Sequence, residues 1–203
     1  MSGGLPIIPP METAFHFVQM LFWVALATWF GGVLFVAAAS RVVFQTVREN
    51  DPILPTVLSV NLEGQHGTLL AGSIMANLLS MLRTVEFYCA GALLVALLAQ
   101  WLILDPGRNW LIHTLRSALY VAAVAIILYD WRVVAPQVRK YRDQYIENAD
   151  NPELANPAKE RFDYYHKESI TLLMFQVALL LGIVFFSAAL HGPNTSAAAF
   201  VTK

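Results

Sequence analysis

Seven side chains are of types that hold ions, move protons or bind metals and stand where such groups are uncommon: Arg116, Asp130, Tyr165, His166, His16, His113 and His191. Arg116 lies in an apolar run, about 9 Å inward from Trp110 by helical rise. A guanidinium at that depth is costly unless it snorkels outward, pairs with an acid or faces water. Asp105 and Glu12 are the acids within reach. His16, His113 and His191 fall at the same ends of three different apolar runs, and three imidazoles at one level can bind a metal. No two of them share a helix, so they read first as polar anchors at the membrane boundary. His166 and Tyr165 belong to the densest polar and aromatic cluster, Arg161 to Ser169. On a helix Phe162, His166 and Ile170 share one face, which places His166 on the buried stripe, bonded to a neighbouring helix or acting as a relay. Arg83 and Glu86 are one turn apart and read as a local pair, and Asp130 with Arg132 and Arg41 reads as an ion-pair layer.

The elements that position these groups are apolar helices. Residues 17–40, 87–104 and 169–190 contain no Asp, Glu, Lys or Arg, and 110–135 contains only Arg116, Asp130 and Arg132. Each run has the roughly 20 residues a helix needs to cross a bilayer core. The expected fold is all-α, a four-transmembrane-helix bundle with cytoplasmic helical extensions. Its spans are about 17–40, 85–104, 110–135 and 168–190. Residues 1–11, rich in Gly and Pro, are expected to form an irregular leader and 191–203 a flexible tail. The leader lacks Lys and Arg, so it does not resemble a signal peptide.

From Thr68 to Leu104 the helical pattern is too long for one bilayer. Its first part carries Ser73, Asn77, Ser80 and Thr84 on one stripe, opposite Ile74, Met75, Leu78, Leu79 and Leu82. Pro136 should kink the third helix near the inner interface, and that helix should continue to Glu147. Asn151-Pro152 and Asn156-Pro157 are turn and helix-start signals, and the last helix is expected to start near Pro157. Trp29, Gly31, Gly32 and Gly182 are the expected helix-packing residues, because small side chains let helices approach closely.

Composition narrows the function classes. Charged residues make up 13% of the chain, against about 25% in soluble domains. The net charge of -1 argues against a nucleic-acid partner. Cys89 is the lone cysteine, which leaves no internal disulfide and no thiolate metal cluster. Nucleotide-binding, hydrolase and metalloprotease motifs are missing, and no histidine pair in the hydrocarbon suggests a haem. The chain is therefore read as not an enzyme, and no cofactor is assigned.

Charge also sets the orientation. Arg41, Arg48, Arg83, Arg132, Arg139, Lys140, Arg142, Lys159, Arg161 and Lys167 lie on one side, and Arg108, Arg116 and Lys203 on the other. The richer side faces the cytoplasm by the positive-inside rule, so both termini face outward.

Trp29-Phe-Gly-Gly-Val-Leu-Phe35 followed by Val42-Val-Phe44 resembles the transmembrane protein 205-like family, whose bacterial members are called domain of unknown function 4149. Three further stretches share the likeness, in order: Ala71-Gly72 through Leu94, Val134-Ala-Pro136, and Arg161-Phe162 with His166 and Ser169. The resemblance covers about residues 20–190. It implies four helices and a plasma-membrane location, and no reaction. The chain departs from the family pattern in its long acidic third connection and in Ser40-Arg41, where Ala-Pro is frequent. A more distant likeness to copper-resistance D-like proteins rests on the Trp-x-Gly-Gly region, and copper is not carried over from it.

The sequence thus reads as a multi-pass plasma (inner) membrane protein in contact with the lipid bilayer. Its leading function is a non-enzymatic structural or accessory subunit partnered by other membrane chains. The rivals are a small-molecule or metal-ion transporter and a redox or haem-associated membrane protein.

Overall fold

Backbone groups in hydrocarbon have no water to bond, so an apolar run that crosses it satisfies its N–H and C=O groups within its own helix. The chain follows that rule. The computed structural model describes residues 10–50, 52, 66–103 and 110–190, with the backbone alone at 10–12. The elements are α1 (Pro10–Glu49), α2 (His66–Ile103), α3 (Trp110–Tyr129), a π-helical turn (Asp130–Val134), α4 (Ala135–Glu147) and α5 (Pro152–Ala189). The described residues contain no strand. Four helices are long and apolar enough to cross a membrane, with α3, the π turn and α4 counting as one. Of the expected leader at 1–11, residues 1–9 lie outside the described residues and Pro10 and Met11 open α1 instead; the expected tail at 191–203 lies outside the described residues.

Two helix boundaries differ from expectation. α5 begins at Pro152, five residues before Pro157. The earlier of the two Asn-Pro pairs supplies the cap: Asn151 Oδ1 accepts from Glu153 N at 3.2 Å, with Pro152 in the first turn. Pro157 is then absorbed inside the helix, where it forfeits one backbone hydrogen bond. In the third helix the disturbance precedes Pro136 and takes the form of the π turn. The Ala135 N–H reaches back five residues to the Asp130 carbonyl. A wider turn gives room to a proline ring that would otherwise press on the carbonyl four residues earlier.

α1 and α2 form one antiparallel hairpin. Gln19 meets Gln100 at one end. Gly32 sits against Leu82 part-way, and Gly67 against Val47 at the other end. α5 runs antiparallel to α3 and α4 in a second hairpin, with Gly182 against Leu119, Ser169 at Asp130 and Tyr165 stacked on Tyr141. The α1–α5 and α2–α3 contacts that join the hairpins are sparser. The core is a stripe of Phe22, Leu26, Trp29 and Val33 on α1, facing Leu93 and Ala96 of α2, Ala123 and Ile127 of α3, and Leu180 and Ile183 of α5.

The spans also turn large apolar side chains outward. Phe17, Phe35, Tyr88, Leu102 and Phe185 are all more than half exposed. Water penalises such a surface, and lipid does not.

The packing glycines divide. A Cβ on Gly182 would lie 2.9 Å from Leu119 Cδ1, and one on Gly32 3.1 Å from Leu82 Cδ1. Gly31 has nothing within 4 Å and is exposed, so it faces away from the bundle. The heptad-like stripe of α1 passes through Trp29, Val33 and Val36, and Gly31 falls on the opposite side.

Candidate functional site

Charged and amide side chains are rare in an apolar bundle, and here they gather at two levels. At the level of the π turn, the inner one by the orientation expected from the sequence, α2 presents Arg83 and Glu86 one turn apart. They do not form the expected local pair. Arg83 crosses to the π turn, its Nη2 2.6 Å from Asp130 Oδ2, and Ser169 Oγ of α5 donates to Asp130 Oδ1 at 3.3 Å. The expected layer with Arg41 and Arg132 does not form either. Arg41 is exposed on α1, and the Arg132 guanidinium lies 4.5 Å over the Trp131 ring. Asp130 opens the π turn, whose extra residue re-aims the helix and brings this carboxylate toward α2.

Glu86 is 6% exposed. Its Oε1 accepts from Trp29 Nε1 at 3.3 Å and from Gln176 Nε2. One carboxyl thus ties α1, α2 and α5 together, and both of its donors are neutral. Trp29 owes its position to the core stripe of α1, and Gln176 to the buried face of α5 that also carries Leu180 and Ile183.

The outer level centres on Arg116, which is 1% exposed. Its Nη2 donates to Gln100 Oε1 at 2.6 Å and lies 3.2 Å from His113 Nδ1. Arginine has no acceptor, so His113 Nδ1 accepts and its ring is the neutral tautomer protonated at Nε2. Gln100 Nε2 passes the chain on to Gln19 Oε1 at 3.0 Å, and the guanidinium carbon sits 5.0 Å from the Phe22 ring centre. Among the described residues Arg116 Nε, which is buried, has no hydrogen-bond partner. The side chain does not snorkel. Asp105 and the Glu12 side chain, its expected partners, lie outside the described residues.

No family model matches the chain, and neither a curated protein nor a solved structure matches it. The site therefore stands on its own geometry.

Among the described residues, α2 and α3 with its π turn are joined at four polar contacts. These are Arg83 to Asp130, Tyr120 Oη to the Ala90 carbonyl at 2.8 Å, Trp101 Nε1 to Ser117 Oγ at 3.2 Å, and Arg116 to Gln100. Where helix backbones approach sparsely, such bonds hold the pair. Interhelical hydrogen bonds in membranes are worth about 0.6 kcal/mol each on average.

The remaining sequence candidates are scattered. His166 is exposed and stacks on Phe162 at 5.5 Å, so it does not lie on the buried stripe. The stripe advances by three and four residues alternately, through Ala158, Phe162, Tyr165, Ser169 and Gln176, and His166 falls one step round. Tyr165 stacks on Tyr141 of α4 at 5.7 Å. His16 is exposed against the edge of Phe15, His113 is engaged by Arg116, and His191 lies outside the described residues. Among the described residues no three His, Cys, Asp or Glu side chains gather as metal ligands.

Gln19, Gln100 and Gln176 escaped the sequence reading. A neutral amide does not interrupt a charge-free run, yet it still carries donors and an acceptor that must be satisfied in hydrocarbon. That requirement was the available signal.

Proposed function

We propose that this chain is a multi-pass plasma (inner) membrane protein with both termini outside, working as a non-enzymatic accessory subunit through the cytoplasmic continuation of its helices. One observation carries the reading. Each of the four long helices has 37 or 38 residues, about 56 Å and nearly twice a bilayer core, of which one stretch is apolar enough to cross a membrane. The surplus gathers at one end of the bundle, where Arg142 of α4 reaches the Leu69 carbonyl and Ser73 Oγ of α2. The Lys and Arg bias supports the cytoplasm as the side on which that end lies. There the α4–α5 hairpin offers a hollow of about 370 Å³ lined by Tyr141, Gln144, Asn148, Leu154, Pro157, Ala158 and Arg161. Leu154 is 55% exposed beside this hollow, where its apolar side chain is open to a partner. The likeness to the transmembrane protein 205-like family supports the same placement without adding a reaction.

The test is native mass spectrometry after extraction in mild detergent. A second chain at fixed stoichiometry is expected, and Leu154→Asp is expected to release it. Recovery of this chain alone as a monomer overturns the reading.

A transport reading draws on the unpaired Nε of buried Arg116. It expects tracer uptake in proteoliposomes that Arg116→Ala abolishes, and equal fluxes with and without the protein rule it out.

A further inference from the structure

We propose that Glu86 is a reversible proton-binding site whose ionisation transfers Arg83 from Asp130 to Glu86 and unlatches the two helical hairpins at the π turn. The inference goes beyond the accessory-subunit reading and does not rest on it.

The charges of the inner level supply the first ground. Arg83 and Asp130 neutralise each other at 2.6 Å. Glu86 is buried beside them, and its donors are the uncharged N–H groups of Trp29 and Gln176. An ionised Glu86 leaves one excess negative charge in a low-dielectric site, whereas a protonated one leaves none. The arrangement with Arg83 on Asp130 is therefore the one that fits Glu86 in its acid form.

Geometry supplies the second. Arg83 and Glu86 stand three residues apart on α2, a separation at which helix side chains meet. Arg83 is bonded to Asp130 on the other hairpin, Glu86 on its own helix stands at a spacing from which it can compete, and the single positive charge of Arg83 neutralises one carboxylate and not both. When Glu86 gives its proton to water on the Arg83 side, the new carboxylate competes for the guanidinium. Asp130 is then left with Ser169 alone. The ionisable groups facing Glu86 are Arg83 and Cys89 from α2 and Asp130 from the π turn. Among the described residues α1 and α5 contribute Trp29 and Gln176 and no ionisable group. Cys89 is a buried neutral thiol one turn along and offers no countercharge.

The element that moves has the looser build. The π turn is bonded five residues back, and the α2–α3 junction it belongs to is sparsely packed. A π turn in a helix commonly marks a functional position.

The experiment uses the full chain in lipid nanodiscs with isotopically labelled glutamate. Infrared difference spectra are recorded as the pH is raised from acidic to alkaline. Spin labels at Asn77→Cys on α2 and Lys167→Cys on α5 report the distance between the hairpins. The expected result is a protonated-glutamate carbonyl band that is lost over the same pH interval in which the distance lengthens. Both changes are expected to be absent in Glu86→Gln. If that variant does not fold, the coincidence of the two changes in the otherwise native chain decides the matter. A missing band, a band that survives in Glu86→Gln, or a distance that stays fixed while the band titrates overturns the proposal.

Discussion

Trp29→Ala is expected to destabilise the bundle by about 3–5 kcal/mol, the usual cost of removing a large aromatic side chain from a packed core. Trp29 is 0% exposed and sits between Leu26 and Val33 on the stripe that α1 turns toward α2. Two losses add in this variant: the indole leaves a cavity, and Glu86 loses one of its two donors. Trp29→Phe separates them, because it keeps most of the apolar contact and removes only the N–H. That variant is expected to cost about 1–2 kcal/mol, in the range of a buried acceptor losing a partner. Reversible unfolding in mixed micelles, driven by a denaturing detergent, measures both. Equal costs for the two variants would show that the bond to Glu86 outweighs the packing.

The second large effect concerns the ion pair at the π turn. Removing one partner of a shielded pair strands the other, at about 3–5 kcal/mol for full burial. Arg83 and Asp130 keep 17% and 19% of their side-chain surface, so Arg83→Met, which strands Asp130, should fall near the lower end of that range, and Asp130→Leu should cost less, because Arg83 can turn to Glu86. The double variant should cost clearly less than the two single variants together, because it strands nothing. A double-mutant cycle under the same unfolding conditions reads that coupling directly. Additive costs would mean that the pair contributes nothing as a pair.

The fold was legible because its main signal is long-range in character but local in pattern. A charge-free run of about 20 residues states its own solution in a bilayer, whereas the side of α1 that turns inward, with Phe22, Trp29 and Val33, is not marked in a run that is apolar all round. The site was less legible because its pairings are tertiary. Glu86 has Arg83 at a spacing that favours a local pair, and nothing in the sequence shows that Asp130, 47 residues further on, competes for it. Gln176 is 90 residues from the carboxyl it binds and carries no charge to draw notice. His166 was misplaced by a single step of helical drift. Gly31 and Gly32 are adjacent and chemically identical, and only the packing separates the one against Leu82 from the one facing outward.

The length of the helices bears on what a small event at the inner level could achieve. α2 holds Glu86 and Arg83 and runs unbroken from Ile103 back to His66. A rigid rod about 57 Å long that overshoots a bilayer by about 27 Å is a lever with its fulcrum in the membrane. A change of tilt of about 10° at the latch would carry the far tip sideways by about 5 Å, the height of one helical turn. If one proton sets that tilt, a chain resting on the tip reads it about 30 Å from Glu86, as a shift of about one helical turn's height.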